Sequence, residues 1–361
     1  MSLTRTNHVD ERSTHNDLSI ARLADGDWLW TMPFPSVAFA RRCYGAALFT
    51  LPNMTASKGA VLLANPTTRY CIDLERADEL EVNWARSAKM RAPRRARFRL
   101  TVDADFDGSL RRLIAHHAAG EGGTWFDEEL LRTIERMRAE DEAELGVGAT
   151  VRLVGLSSAS KNGLLGTVVA PAVAHPGGRV RVELLPPPSD EGAATGATGA
   201  ATATTTAAVV VAVKPPNLEL VAPSPRRDKV HHHVFELWDA TTGELLALTA
   251  GFGVGRAFHD YSMATLVKDK RSAGAVLSKT VAHLLSKCGY GLWYWGFKNP
   301  YMAAYDAYGG RQLEREEFND RWAKLREEEP MMELCDAIAA GLALVAPREE
   351  GMVGEVAKEE C

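Results

Sequence analysis

Seven positive charges fall in the fourteen residues from Arg86 to Arg99: Arg86, Lys89, Arg91, Arg94, Arg95, Arg97 and Arg99. In a chain of net charge −5 this is a local cationic surface, and its chemistry is contact with phosphates, a solvated face being the plain alternative. His231, His232 and His233 suggest a metal by type but not by spacing. Neighbours on a strand point to opposite faces, so three in a row do not converge on one ion, and no metal is expected. Gly253 and Gly255 in GFGVGR could serve as a pyrophosphate turn, although a lone G-x-G is weak evidence for one.

Several parts of the chain must position these groups. With 46% apolar and 25% charged residues, the 361-residue chain has an ordinary globular composition and can bury a sizeable core. Its N-terminal stretch lacks the apolar run of a signal peptide, and no apolar run reaches 18 residues, so neither secretion nor a membrane span is expected. Cys43, Cys71, Cys288, Cys335 and Cys361 are widely spaced and form no CxxC pair. That pattern suits reduced thiols in a cytoplasmic protein.

Composition shifts divide the chain into a polar segment 1–26, a mixed α/β region 27–145, an insertion 146–222, a core 223–330 and a C-terminal helix with an acidic tail, 331–361. Residues 127–145 read as an amphipathic helix with Asp127 at the N-cap position and Leu130, Leu131, Ile134 and Met137 on one face. The insertion holds short Val-rich strands at the spacing of a small barrel, interrupted by an Ala/Thr/Gly run, 186–208, expected to be disordered. In the core, 230–239 and 245–255 read as a hairpin turned by TTGE, Ala257 to Thr265 as a third strand, and 274–288 as a helix with Leu277, Val281, Leu284, Leu285 and Cys288 on its apolar stripe. Gly289 stops that helix, and LWYWGF follows as a strand covered on both faces.

The order of motifs resembles the leucyl/phenylalanyl-tRNA–protein transferases. Gly123-Thr124-Trp125 matches a GTW turn, His233, Glu236 and Trp238 an H-x-x-E-x-W strand, Ser262-Met263 a G-E-S-M-F-S strand, and Ser278-Lys279 the S-K that opens a long helix. Leu292 to Phe297 hold the place of the family's L-I-D-x-Q strand, and Ala303 to Gly309 that of its closing helix. In the insertion, Asn162, Gly163, Gly166, Thr167 and Val168, followed by Val213, Lys214, Pro215, Asn217 and Leu218, resemble an SH3-like module. The implied fold is α+β: a GNAT-like mixed sheet with flanking helices, a smaller N-terminal α/β region and an inserted SH3-like barrel.

The resemblance implies transfer of Leu, Phe or Met from its tRNA to the N-terminus of a protein beginning with Arg or Lys, by a monomer needing no cofactor. The basic residues Lys89, Arg91, Arg94, Arg95, Arg97 and Arg99 would hold the tRNA. Trp125, Phe252, Ser262, Met263, Gly296 and Asn299 would bind substrate, Met263 suiting an adaptable pocket. Where the family keeps Glu, Asp and Gln, this chain has Tyr261, Tyr294 and Gly296. Tyr261 and Tyr294 would act as hydrogen-bond donors, with Asp260 adjacent but facing the other side of the strand. Substrate positioning and the tRNA's ribose hydroxyl would supply the rest. A GNAT-fold protein that only binds RNA or peptide N-termini, or an acyl-CoA-dependent acyltransferase, fits the same departures. The gap between 257–265 and 292–297 discriminates: an open apolar pocket supports aminoacyl transfer, and one plugged by Trp293, Tyr294 or Trp295 argues against it.

Overall fold

The structure, a computed structural model, describes residues 9–10, 12–13, 18, 28–31, 36–51, 61–76, 96–120, 126, 128–142, 145, 148–170, 178–185, 209–222 and 230–345. Strand β1 (Trp28–Thr31) precedes helix α1 (Val37–Gly45), whose first turn is capped by Ser36 accepting from the Phe39 N–H and whose inner face buries Phe39, Cys43 and Tyr44. Strands β2 (Phe49–Leu51), β3 (Val61–Ala64), β4 (Thr68–Asp73) and β5 (Phe98–Val102) follow. Helix α2 (Phe106–Ala118) starts where Asp105 accepts from the Gly108 N–H. Helix α3 (Glu128–Glu142) buries Leu130, Leu131, Ile134 and Met137, the stripe read from the sequence. Asp127, its expected cap, lies outside the described residues.

Next come β6 (Thr150–Leu153), β7 (Leu165–Ala170), β8 (Val180–Leu184), β9 (Val210–Val213) and β10 (Leu218–Ala222). The core then runs β11 (His231–Asp239), β12 (Leu245–Val254), β13 (Ala257–Thr265), α4 (Ala273–Lys287) and β14 (Leu292–Gly296), in the order expected. A 3-10 helix (Pro300–Tyr308), β15 (Gly310–Glu314), α5 (Arg315–Leu325) and α6 (Leu334–Ala339) complete the described elements.

Contacts separate the chain into two units, residues 1–135 with 230–361, and residues 136–229. In the first, β15-β4-β14-β13-β12-β11-β5 form a mixed seven-stranded sheet, and β1-β3-β2 a smaller sheet. All neighbours in the large sheet are antiparallel except β13 and β14, which run parallel through the α4 crossover. Helix α4 lays Val276, Leu277, Val281, Leu284, Leu285 and Cys288 on one face, against Phe235, Leu237, Phe258 and Trp293. Each such side chain, once fully buried, contributes about 1.5–3 kcal/mol. On the opposite face Phe318 and Trp322 of α5 pack near Tyr294 and Arg69.

In the second unit the five strands form one antiparallel sheet, ordered β10-β6-β7-β8-β9, over Val151, Leu153, Val168, Val180, Val182 and Val213. Its edge strands β9 and β10 are not paired with each other, so the described residues form an open sheet and not the closed barrel expected. Between those edges the chain turns through a 3-10 helix, Pro215–Asn217, where two prolines offer no N–H to a ladder. The NG turn is real: Asn162 brackets Leu156 by accepting from its N–H and donating to its carbonyl, and Gly163 has φ +84°. The run 186–208 lies outside the described residues. Among the described residues no helix is long and apolar enough to cross a membrane.

Candidate active site

The H-x-x-E-x-W residues of β11 are anchors. Glu236 is fully buried and accepts from Thr101 Oγ1, from the Ala104 and Asp105 N–H groups and from Ser109 Oγ. Trp238 Nε1 donates to Thr101 Oγ1, and His233 Nδ1 lies 2.9 Å from Asp103 Oδ2. Together these bonds fasten β11 to β5 and to the start of α2. That helix extends to His116 and His117 in its last turn. The three adjacent histidines alternate as expected, His233 meeting Asp103 and His232 lying 3.1 Å from the Tyr261 hydroxyl. Among the described residues no cluster of His, Cys, Asp or Glu is placed to hold a metal ion.

The central gap lies between β13 and β14. They pair over only three positions, Ala257 with Leu292, Phe258 with Trp293 and His259 with Tyr294, and then part. Both strands are irregular there. Against β12, Ser262 pairs with Ala250 and Asp260 with Gly251, leaving Tyr261 as the extra residue of a β-bulge. Against β4, β14 slips between Tyr294 and Gly296. The gap opens into a cavity of about 1110 Å³ whose walls include Met263, Trp295, Tyr305 and Phe49, with Asp260, Ser262, His117 and Asn299 as polar groups. A space of this size accommodates a drug-sized ligand or an aminoacyl group with part of its carrier.

Asp260 is the most perturbed acid on this lining. Its carboxyl is part-buried and lines the cavity, and desolvation pushes its pKa up to about 7. Hydrogen bonds from Thr249 and Trp293 act the other way and offset part of the rise. Thr249 Oγ1 lies 2.7 Å from Asp260 Oδ1 and 3.0 Å from the Ser262 carbonyl. The bulge also sorts the side chains. Phe258, Asp260 and Met263 face α4, while Tyr261 and Ser262 both face α1 and α2.

Ser262 Oγ lies 2.7 Å from His117 Nε2, and both line the cavity. Burial and the neighbouring His116 lower the His117 pKa, so the imidazole is neutral at pH 7, although the Met263 backbone acts the other way. Met263 is steadied from behind by Ser278, whose Oγ lies 3.6 Å from its sulfur, and Tyr305 donates to Ser278 at 3.3 Å. Lys279 places its ammonium 4.3 Å from the Tyr308 ring centre. The S-K pair therefore supports the wall and does not line the cavity.

The structure gathers Asp260, Tyr261, Ser262, Met263, Gly296 and Asn299 around one cavity and excludes two other expected residues. Tyr294 is fully buried on the opposite face among Phe49, His259 and Phe318, with its hydroxyl pKa raised by burial. Phe252 is equally buried, stacked on Tyr44 at 4.5 Å. Tyr261 reaches the cavity, but its ring sits in the aromatic cluster and its hydroxyl bonds His232; burial raises its pKa well above 10, so it is no base. His259, at the back of the cavity, is kept neutral by burial, its pKa falling to about 3.

Trp293 lies in the core, and Trp295 forms a wall without filling the space. Gly296 has φ +91° with open space where a side chain would begin, so a glutamine at this position would be strained. Gly253 and Gly255 are used for packing: a Cβ on Gly255 would lie 2.5 Å from the Leu325 and Arg326 carbonyls. The GFGVGR turn is thus covered by the end of α5 and holds no room for a pyrophosphate. Trp125, Lys89, Arg91, Arg94 and Arg95 lie outside the described residues; Arg97 is exposed, and Arg99 donates to the Phe98 carbonyl. His116 and His117 escaped the sequence reading, where a pair of histidines closing an amphipathic helix reads as a complement to its dipole.

No known protein-family model matches this sequence, and no curated protein matches it.

Proposed function

We propose that the chain is an acyltransferase that moves an apolar aminoacyl group, Leu, Phe or Met, from tRNA to the N-terminal amine of proteins beginning with Arg or Lys. The observation that carries the reading is the parting of the parallel strands β13 and β14 into an open cavity lined by Asp260. A mixed sheet split in this way is the arrangement of GNAT-type acyltransferases, and the motif order resembles one branch of them. Met263 and Trp295 flank the aminoacyl side chain, and the cationic run from Arg86 to Arg99 holds the acceptor stem.

In the reaction the acceptor arrives as an ammonium. Asp260, ionised above pH 7, takes one of its protons, and the freed amine displaces the ribose oxygen from the ester carbonyl. An N–C bond forms, a C–O bond breaks, and the second amine proton ends on the ribose oxygen. A carboxylate titrating near the working pH suits this step better than either tyrosine, so Asp260 takes the role of base. The reading places the protein in the cytoplasm, where charged tRNA is made. It also takes the unit of β6 to β10 as an SH3-like module on the strength of its strand order and the 3-10 turn before β10.

The test is incubation with leucyl-, phenylalanyl- and methionyl-tRNA and a peptide beginning with Arg. The expected result is a peptide heavier by one residue. Absence of transfer from all three donors would overturn the reading, and tRNA binding without transfer would favour a protein that only binds.

A further inference from the structure

We infer that Ser262 is a nucleophile activated by His117, so that acyl transfer in this cavity passes through an acyl ester on Ser262. The inference rests on the acyl-transfer reading of the site and adds to it a covalent route. Ser262 Oγ and His117 Nε2 are 2.7 Å apart, within the range of a nucleophile–base pair. Both side chains are part-buried and line the same cavity.

Two features set this pair apart from a chance contact in a wall. The first is the bulge at Tyr261. Regular alternation would send Ser262 to the α4 side with Asp260; the extra residue turns it toward α2 instead. The second is the state of the imidazole. A histidine in the last turn of a helix gains from being charged, because the carbonyl end of the dipole favours a cation. His117 nonetheless has its pKa lowered by burial and by His116 beside it, so at neutral pH it can accept a proton. The Met263 backbone raises the pKa of the same ring without reversing the shift. In the tautomer whose Nε2 is unprotonated, Nε2 accepts from Ser262 Oγ–H. Serine and base thus have the relation an acyl-transfer nucleophile requires.

The chemistry balances in two halves. In the first, Ser262 Oγ attacks the donor ester carbonyl and its proton passes to His117 Nε2. The bond from carbonyl carbon to donor oxygen breaks, and His117 returns the proton to that oxygen. In the second, the amine freed by Asp260 attacks the acyl-serine. One of its two remaining protons passes through His117 to Ser262 Oγ as the C–Oγ bond breaks, which restores the hydroxyl, and the other stays on the amide nitrogen.

A fluorophosphonate probe tests the nucleophile without any assumption about the donor. Ser262 Oγ displaces fluoride from phosphorus and keeps the probe, and peptide mass spectrometry locates it. The expected result is one label per chain on Ser262, lost in Ser262→Ala and formed roughly a hundredfold more slowly in His117→Gln. No label on Ser262 in the wild-type protein, or labelling equally fast after unfolding, would overturn the inference. This readout uses the wild-type chain, so it does not depend on either variant folding. A transfer assay then separates the two readings. If charged tRNA is used and Ser262→Ala transfers at the wild-type rate, the covalent route fails while the function stands. If Ser262 is labelled but no charged tRNA is used, the nucleophile stands and the choice of donor fails.

Discussion

Replacing Asp260 with asparagine keeps the shape of the side chain and removes its titration, so it isolates what the buried carboxyl does. The carboxyl is raised from 3.8 to about 7 by burial. A group whose folded pKa lies above its unfolded value favours the folded state fully below the unfolded pKa, and that advantage is lost as pH rises through the folded pKa. For Asp260 the window is therefore about pH 4 to 7, and the whole shift corresponds to roughly 4 kcal/mol. Between pH 5 and pH 8 the wild-type protein should lose roughly 2–3 kcal/mol more than Asp260→Asn. Urea unfolding of the full chain at pH 5, 6, 7 and 8, followed by tryptophan fluorescence, gives the difference directly, since other titrating groups are common to both proteins. The variant should gain on the wild type steadily as pH rises and level off above pH 8. In the transfer assay it should be slower by roughly 10² to 10⁴. Parallel stability curves for the two proteins would refute the raised pKa, and with it the assignment of Asp260 as the base.

Three further outcomes follow from the same geometry. Glu236→Gln leaves at least one of its four donors without an acceptor and should cost roughly 3 kcal/mol in denaturant unfolding; by loosening α2 it should also slow labelling of Ser262, and an unfolding midpoint equal to the wild type would show that the hub does not hold the helix. Gly255→Ala meets both a φ of +55° and the Leu325 and Arg326 carbonyls, so it should destabilise by at least about 2 kcal/mol, while a change within about 0.5 kcal/mol would show the turn to be freer than its packing indicates. Met263→Ala enlarges the cavity and should shift the ratio of rates for phenylalanyl and leucyl donors roughly tenfold toward the larger, which competition between the two charged tRNAs would read; an unchanged ratio would remove Met263 from the pocket.

Much of this architecture is legible along the chain because it is local. The strands from His231 to Asp239 and Ala257 to Thr265, the stripe from Leu277 to Cys288 and the stop at Gly289 each arise within one element, and each element appears in the structure where expected. The candidate pocket between the third strand and the aromatic strand was also legible, since the crossover through α4 makes those two strands parallel neighbours. Sequence alone likewise determined that three consecutive histidines on a strand would divide between two faces.

What only the tertiary structure decided comes from contacts far apart in the chain. Nothing near Tyr70 or Cys71 announces that β4 will insert between β14 and β15, because its partners lie more than two hundred residues away. The bulge at Tyr261 is a matter of register against β12, and register is set by packing on both faces. That one extra residue turns Ser262 toward α2, while Tyr261 goes into an aromatic cluster and Asp260 stays at the cavity. His117 meets Ser262 across 145 positions because Glu236 and its partners fix where α2 lies. Residue types and spacing determined which elements form and in what order. The pKa of Asp260 and the bond from Ser262 to His117 depend on burial and distance, which exist only once those elements are packed together.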